Sequence, residues 1–377
     1  MTKGPFGSDI KKSLYVPKSE STYKVYIQAN AIEKDPAIGD YYISKEYFDT
    51  KMFRFEVKPG DYIITCDGTL GKFIRLPQTI ERGIISASLL RITLGDQIVP
   101  RYFEYLWDGY ILSRLTKDIR NSALVHLPSA TKIGKVLIPV PSISEQERIV
   151  AELDLLTGII DKQKAQIKEL DILAQSIFYD MFGDPVENER GWIVKELGTV
   201  LKTTSGGTPS KGHPEYYENG TIPWVNSGDL HQMFIYDVPK HITQIGVDNS
   251  SAKLFPIDTC LIAMYGATVG EVSILKIQST TNQAVCGIFP SKDYLPIFLY
   301  FTLKYSKKHF VELASGGAQP NISQGIIKNF DLISPPLSLQ ESFARKIESI
   351  ESQKANINRS IAETRKLFDY TMDKYFG

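Results

Sequence analysis

Two long stretches of the chain carry the same helical pattern of apolar and polar positions. From Ser144 to Gly183 the apolar residues alternate at spacings of four and three. Such a heptad seam is typical of a helix that packs against a partner helix. A Ser-x-x-Glu capping box at 144–147 predicts the start, and Gly183, followed by Asp184-Pro185, predicts the end. The predicted seam includes Leu153, Leu156, Ile160, Ile167 and Leu170.

The same element recurs 194 residues later. A second capping box lies at 338–341, Phe376-Gly377 repeats Phe182-Gly183, and a proline-rich segment precedes each helix. We interpret the chain as two copies of one unit. The two helices, each about 50 Å long at 1.5 Å per residue, are predicted to pack as an antiparallel coiled coil; the alternative is that each packs on its own domain. The second seam includes Ile347, Ile350, Ile357 and Ile361.

The segments between the helices read as mixed domains. Short β-type runs such as 61–65 and 84–92 are separated by Gly, Pro and Asp turns, and helices are predicted to start at Pro100 and Pro296. Polar loops are predicted at 120–123 and 314–319. The predicted fold class is α+β: two mixed α/β domains joined by two long antiparallel helices, with a pseudo-two-fold internal repeat. The predicted boundaries are 1–143, 144–183, 184–337 and 338–377.

Composition and charge narrow the function classes. The chain has 43 Lys+Arg and 43 Asp+Glu, so it is not a polycation that holds nucleic acid by charge alone, although a local basic face is compatible with this total. Residues 1–20 contain no apolar signal region, and no run of about 18 apolar residues predicts a membrane span. Cys66, Cys260 and Cys286 form no CxxC pair, which is typical of buried thiols in a cytoplasmic protein.

No catalytic constellation emerges from the sequence. The glycine-rich segment 68–72 is too short for a P-loop, and Phe73 follows it where a P-loop has the Ser or Thr that binds Mg²⁺. The five histidines lack metal-ligand spacing. Residues 334–337 resemble the Pro-Pro-aromatic loop of amino-methyltransferases, but Leu337 replaces the aromatic residue. The sequence therefore predicts a protein without catalytic residues, metal or bound cofactor.

Loop residues of the second domain suit hydrogen bonding to DNA. Side-chain amides bond adenine in the major groove, and lysines and hydroxyls beside glycines contact phosphates or base edges. The alternative for each residue is a turn former or a solvated charge. The candidates in this domain are Thr208, Ser210, Lys211, Tyr265, Thr268, Asn282, Gln283, Lys304 and Lys307. Their counterparts in the first domain are Lys11, Lys12, Thr69, Lys72 and Ser86.

Taken together, these segments resemble the specificity (S) subunit of type I restriction–modification enzymes. The resemblance covers nearly the whole chain, and the order and duplication of its motifs are more specific than any one of them. It rests on the proline-rich lead-in with residues 145–147, the long helix, and segments 192–198, 206–210, 222–229, 265–270 and 282–283.

The resemblance implies a non-catalytic subunit of a deoxyribonuclease and adenine methyltransferase complex. Two target-recognition domains would each bind one half of a split double-stranded DNA sequence, with the coiled coil as the spacer. Two methyltransferase subunits would dock on it, joined by restriction subunits in the full complex. S-adenosylmethionine, ATP and Mg²⁺ would belong to those partners, and no membrane is implied.

The first domain departs from the family pattern. It lacks the opening strand and Gly-Gly-Thr-Pro loop of the second domain and begins instead with Gly4-Pro5-Phe6-Gly7. About twenty residues of framework have no counterpart, by comparison with 184–203. Either the start is truncated or the C-terminal end supplies the closure. The alternative functions are a coiled-coil adaptor that binds protein rather than DNA, and a truncated, partly inactive specificity cassette.

Overall fold

The computed structural model describes residues 1–116, 126–316 and 320–377. The predicted polar loop at 120–123, and residues 317–319 of the predicted loop at 314–319, lie outside the described residues. The chain forms two compact units, which we call unit 1 (Met1–Lys162 with Ser360–Gly377) and unit 2 (Gln163–Arg359). This division passes through both long helices, so it does not follow the domain boundaries predicted from the sequence.

Unit 1 contains two small sheets. A four-stranded antiparallel sheet has the order β1-β7-β4-β5, and in a three-stranded sheet β2 lies between antiparallel β3 and parallel β6. The strands are β1 (Thr2–Lys3), β2 (Thr22–Tyr26), β3 (Tyr42–Ser44), β4 (Tyr62–Thr65), β5 (Phe73–Arg75), β6 (Gly83–Ile85) and β7 (Leu89–Ile92). The α-helices that lie within the described part of this unit are α1 (Gln28–Ile32), α2 (Lys45–Tyr47), α3 (Pro100–Leu106), α4 (Leu112–Thr116) and α5 (Ala130–Ile133). The long helix α6 (Ile143–Phe182) begins in unit 1.

Unit 2 repeats the mixed three-stranded arrangement and has one larger sheet. The sheet orders are β12-β10-β15, β11-β14-β13-β16-β9 and β17-β8. The strands are β8 (Val194–Glu196), β9 (Thr203–Ser205), β10 (Ile222–Val225), β11 (Phe234–Ile235), β12 (His241–Ile242), β13 (Cys260–Ala263), β14 (Val272–Leu275), β15 (Thr280–Thr281), β16 (Val285–Ile288) and β17 (Asp331–Ile333). The helices are α7 (Leu197–Val200), α8 (Gln244–Asp248), α9 (Pro296–Tyr305), α10 (Lys307–Glu312), α11 (Gln324–Lys328) and α12 (Leu337–Phe376), which continues into unit 1.

The central strand of each unit is buried on both faces. In β4, Tyr62 and Ile64 face the core that contains α3, whereas Ile63 faces the other core of the unit. In β13, Ile262 faces the core with α9 and the long helices, and Leu261 faces the opposite core. Because side chains alternate along a strand, each of these apolar runs covers two cores at once.

The two long helices agree with the predicted limits to within one residue at each end. Gly183 ends α6 with a φ of +76°, which a glycine adopts without steric cost. The predicted capping boxes are wrong, because Ser144 and Ser338 lie inside the first helical turns. Ser142 instead accepts the Glu145 N–H at 3.3 Å, and in α12 the carbonyl of Pro336 accepts the Gln340 N–H at 3.2 Å.

The predicted seam residues lie on the less exposed side of both helices. Leu153, Leu156, Ile160, Ile347 and Ile350 are buried. The other four, Ile167, Leu170, Ile357 and Ile361, are partly buried. Apolar residues off the seam, such as Leu155 and Ile172, are exposed, so position relative to the 4-3 pattern decides burial here.

A buried glutamine ties the start of each long helix to its unit. In unit 1, Gln146 accepts the Val99 N–H at 2.8 Å and donates to the carbonyls of Gln97 and Pro141. In unit 2, Gln340 accepts the Leu295 N–H at 2.9 Å and donates to the carbonyls of Asp293 and Pro335. The same three bonds therefore join the helix lead-in, the first turn of the long helix, and the residue before α3 or α9.

We predict that Gln146→Leu and Gln340→Leu each lower the free energy of unfolding by about 2–4 kcal/mol, because each removes a buried amide and leaves one partly buried N–H and two carbonyls without that partner. Urea denaturation followed by circular dichroism measures this change. The control is Gln166→Leu, at an exposed position of the same helix. Equal stability of Gln146→Leu and the control would contradict the role assigned to the buried glutamine.

Candidate nucleic-acid interface

Three loops that contain predicted DNA-binding residues meet at one end of the five-stranded sheet of unit 2. One loop follows the end of β9, one follows the end of β13, and one precedes the start of β16. The register pairs Ala263 with Val285. Beyond the strands, Met264 N–H donates to Ala284 at 2.8 Å, and Gly206 N–H donates to Val285 at 3.1 Å. The pairing of these strands thus brings 206–211, 264–268 and 282–284 together.

Asn282 is held in place by its neighbours. Its backbone N–H donates to Val225 at 2.9 Å, its Nδ2 donates to Asn226 Oδ1 at 3.3 Å, and its Oδ1 accepts the Ala284 N–H at 3.1 Å. Both ends of this side-chain amide are therefore engaged inside the loop. In this arrangement Asn282 shapes the loop, and contact with a base would require these bonds to be exchanged.

Gln283 has the opposite environment. It is exposed, and its Oε1 accepts a hydrogen bond from the Thr208 hydroxyl. Within the part of the chain that the structure describes, its Nε2 has no hydrogen-bond partner. Because the donor end of the amide faces solvent, Gln283 is placed to bond an acceptor on DNA.

The two glycines before Thr208 serve internal packing, which corrects the prediction that they open an approach for DNA. Gly206 and Gly207 are buried. A Cβ at Gly206 would collide with the backbone carbonyl of Thr281, and one at Gly207 with the backbone of Ser251. Ser210 and Lys211, beyond this tight passage, are exposed.

The loop after β13 presents an exposed aromatic ring. Tyr265 is exposed, and its carbonyl accepts the Thr268 hydroxyl at 3.0 Å. Gly266 and Gly270 adopt φ values of +68° and +79°. These conformations bend the loop tightly, so the Thr268 hydroxyl supports the turn while Tyr265 remains accessible for stacking or hydrogen bonding.

A fourth loop at the same end was not among the predicted site residues. Asn226 follows β10 directly, and its backbone N–H donates to Asp229 Oδ2 at 2.7 Å. Its side chain contacts Asn282, so 226–229 lies beside the three predicted loops. In the sequence, this loop is marked by Asn-Ser-Gly-Asp immediately after an apolar strand. Because β10 pairs in parallel with β15, which ends next to Asn282, the loop lies beside the other three.

Lys304 and Lys307 are occupied by contacts with other parts of unit 2. Lys307 Nζ lies 2.5 Å from Glu271 Oε1, which follows the Tyr265 loop, so the pair braces the base of that loop. Lys304 lines a groove of about 830 Å³, whose wall includes Asp171, Tyr300 and Glu351 and none of the predicted residues between 208 and 283. Burial in this groove lowers the pKa of Lys304.

Unit 1 brings its own candidates to the corresponding end of its sheet. Gly4 N–H donates to Leu89 at 2.8 Å just beyond β1, as Gly206 does beyond β9. Thr69 and Lys72 are exposed in the loop after β4, and Lys11 and Lys12 are exposed in a turn that follows Gly4. Ser86 is buried between β6 and β7, so its hydroxyl does not reach solvent as predicted.

A carboxylate and a histidine lie in contact beside one of the loops of unit 1. Asp67 Oδ1 lies 2.6 Å from His126 Nδ1 beside the Thr69 loop.

Burial raises the pKa of Cys66 and of Cys286 to about 12, so both remain thiols at neutral pH. Among the described residues there is no group of His, Cys, Asp and Glu able to hold a metal ion. None of the helices in those residues is long and apolar enough to cross a membrane.

The chain is similar in sequence to several specificity subunits of type I restriction enzymes. It is 25% identical over 300 residues to the MjaIX specificity subunit of Methanocaldococcus jannaschii, and the aligned region covers 74% of this chain and 68% of that protein. It is 26% identical over 255 residues to the EcoR124I/EcoR124II specificity subunit of Escherichia coli, covering 64% and 63% of the two chains. It is 32% identical over 185 residues to the HindI specificity subunit of Haemophilus influenzae, covering 47% and 40%.

Solved structures show the same fold. A chain from a study of the complex assembly and conformational transition of the type I R-M system superposes with a TM-score of 0.62 at 19% identity, covering 96% of this chain and 92% of that chain. The S subunit from M. genitalium superposes with a TM-score of 0.52 at 14% identity, covering 100% and 93%.

A family model for the type I restriction modification DNA specificity domain matches residues 8–171 and 189–364. These two segments include most of the chain, and they correspond to the two copies identified in the sequence. The chain therefore belongs to the type I restriction modification DNA specificity family and is a specificity subunit of such a system.

Proposed function

We propose that this chain recognises a bipartite DNA target, with one half-site bound by the loops of each unit. The observation that carries the proposal is the convergence of the predicted loops of unit 2 at one end of its sheet. Exposed Lys211, Tyr265 and Gln283 offer a phosphate contact, a stacking surface and an amide donor there. The Asn282–Asn226 bond gives these groups a fixed framework.

The long helices suit the role of a spacer. In unit 2, the Phe178 and Phe343 rings lie 5.6 Å apart, and Lys354 Nζ lies 2.8 Å from Asp171. A later residue of α6 thus meets an earlier residue of α12, as antiparallel packing requires. In unit 1, Tyr375 contacts Arg148 and Glu152 at the opposite ends of the same helices. These contacts support the antiparallel coiled coil and the pseudo-two-fold repeat.

The chemistry of the complex would reside in other chains. We propose that two methyltransferase subunits, and restriction subunits in the full complex, dock on this chain, and that S-adenosylmethionine, ATP and Mg²⁺ bind to them. The loops that converge in unit 2 present amide, hydroxyl, aromatic and lysine side chains, which suit hydrogen bonding to DNA. This chain would accordingly supply recognition and spacing alone.

We predict that Gln283→Ala relaxes one base of one half-site, because a lost base contact costs about 1–3 kcal/mol at that position. Lys211→Ala should weaken all sequences evenly and lower the salt dependence of binding, as expected for a phosphate contact. Competition binding to a randomised duplex library, with the methyltransferase partner present, measures both effects.

The matched control for Gln283→Ala is Gln278→Ala, an exposed glutamine before β15 rather than after it. If Gln283→Ala lowers the melting temperature and leaves relative affinities across the library unchanged, then Gln283 only supports its turn. Unchanged affinities for every duplex in both loop variants would favour a protein-binding adaptor instead.

We predict that removing seven residues from each long helix, near Gln163 and near Ile357, shortens the DNA spacer by about three base pairs. One heptad spans about 10 Å and preserves the seam, and a DNA turn is about 34 Å. The methylated motif in a cell that expresses the variant with its methyltransferase partner reports the spacer. An active double deletion with an unchanged spacer would contradict the proposal, and the deletion in α6 alone is the control for lost helix pairing.

We predict that the purified chain transfers no methyl group and cleaves no DNA, because the proposed partners hold the cofactors. Incubation with duplex DNA and labelled S-adenosylmethionine, followed by scintillation counting, tests the first point, and gel analysis tests the second. The matched positive control adds the methyltransferase partner. Labelled DNA in the sample without partner would refute the assignment.

A further inference from the structure

Strand register places Asp67 of unit 1 at the position that Tyr265 occupies in unit 2. The last residue of β4 pairs with the first residue of β7, as the last residue of β13 pairs with the first residue of β16. In each unit, the next N–H along the chain donates to the residue just before that second strand, at 2.8 Å in both cases. Asp67 and Tyr265 follow directly, and each precedes a glycine with a φ of +68°. The two residues therefore lie at equivalent points of the two sheets.

A second backbone contact supports this equivalence. Asp67 forms a β-bridge with His126, and Tyr265 forms one with Asn321. The residue after each bridge partner donates its N–H to the carbonyl just before Asp67 or Tyr265, at 2.8 Å in unit 1 and 2.9 Å in unit 2. Asp67 thus belongs to the end of the sheet that carries the candidate loops of unit 1.

The side chains at this end differ between the units. Unit 1 has Ala87 in the place of Gln283. The residue before each donates its N–H to the carbonyl that ends the central strand of the three-stranded sheet, at 2.9 Å in both units. Unit 1 therefore has no amide at the position of Gln283, and it has a carboxylate instead of a phenol at the position of Tyr265.

His126 holds the Asp67 carboxylate and leaves part of it accessible. His126 Nδ1 lies 2.6 Å from Asp67 Oδ1, and the two side chains are 51% and 31% exposed. Because a carboxylate only accepts hydrogen bonds, Nδ1 is the donor. Within the described residues, Asp67 Oδ2 has no hydrogen-bond partner. This oxygen is available as an acceptor for a ligand.

The loop that follows Asp67 is fixed from within. The Thr65 hydroxyl donates to the Thr69 carbonyl and accepts the Lys72 N–H at 3.0 Å. The Gly71 N–H donates to the Thr65 carbonyl at 2.9 Å. These bonds hold the loop in one conformation before DNA binds, so little conformational entropy is lost on binding.

A carboxylate at this position is unsuited to the DNA backbone. It repels phosphates, so it weakens a complex unless it accepts a hydrogen bond from the DNA. In the major groove the donors are the amino groups of cytosine (N4) and adenine (N6), whereas thymine and guanine present only acceptors there. Asp67 therefore favours a base that carries an exocyclic amine and disfavours the other two.

We propose that Asp67 determines one base of the half-site bound by unit 1, by accepting a hydrogen bond from the amino group of cytosine or adenine, and that His126 is the positioning residue for its carboxylate. This inference rests on the proposed recognition of DNA by unit 1, and it adds the residue and the chemical group that this residue recognises. The exposed Lys72 of the same loop offers a positive charge to the adjacent phosphates.

The test is competition binding of the Asp67→Ala variant to a randomised duplex library, with the methyltransferase partner present. We expect the preference for C or A at one position of one half-site to fall about tenfold, because the acceptor is lost. Affinity for unrelated duplexes should stay equal or rise, since one negative charge is removed. A side chain that only supports the fold would instead weaken every duplex alike.

Deletion of the amino group from the DNA shows which base is read. In the selected target, adenine is replaced by purine, or cytosine by pyrimidin-2-one; each analogue lacks only the amine. At the recognised position, the unmodified complex should bind the analogue about tenfold more weakly than the natural base. The Asp67→Ala complex should distinguish them by less than about threefold, because the partner of the amine is already absent.

His126 is tested by loss and rescue. His126→Ala should weaken the same base preference, and His126→Asn should restore it, because the asparagine Nδ2 can donate the bond that the histidine Nδ1 makes. The matched control is Asp96→Ala, which removes the same charge at an exposed position beyond the opposite end of β7. Gln283→Ala identifies the half-site bound by unit 2.

A changed preference outside the half-site that Gln283→Ala alters supports the proposal. Four outcomes would overturn it while the unmodified complex still selects a bipartite target: unchanged preferences in Asp67→Ala, an equal loss of affinity for every duplex, an equal effect of Asp96→Ala, or a change in the half-site of unit 2. An unmodified complex that selects no sequence would overturn the proposed function itself, and this inference with it.

Discussion

A buried glutamine at the start of each long helix joins segments that are distant in sequence. Its amide can donate twice and accept twice, and in both units it donates to two carbonyls and accepts one N–H. Because unpaired buried polar groups are costly, the helix lead-in and the residue before α3 or α9 have few alternative positions. The orientation of α3 and α9 then determines which faces of β4 and β13 are covered.

The strand register of the five-stranded sheet in unit 2 brings the candidate loops together. Once β13 and β16 pair in their observed register, the loops at one end of the sheet become neighbours. The contacts among these loops separate two structural roles among their residues. Gly206, Gly207 and Asn282 build the surface, whereas Lys211, Tyr265 and Gln283 are accessible on it. Lys304 on α9 lines the groove, and Lys307 on α10 forms an ion pair with Glu271 at the base of the Tyr265 loop.

The two units share their core bonds and differ at their edges. The capping serines, the buried glutamines and the mixed three-stranded sheets occur in both. Strand β8 and helix α7, however, cover β17 and α11 only in unit 2. In unit 1 the equivalent surface exposes Leu137 and unpaired backbone groups within the described residues.

The sequence by itself determined the elements whose signals are local and repeated. The 4-3 spacing and Gly183 predicted both long helices to within one residue, and Pro100 and Pro296 marked the starts of α3 and α9. The motif order identified the family. The tertiary structure decided which of the polar residues remain accessible. Thr208 and Gln283 are 75 residues apart and hydrogen-bonded, Ser86 is buried, and the capping role passes from Ser144 to Ser142. These outcomes depend on strand register and on competition for a limited number of donors and acceptors, which residue spacing along the chain does not encode.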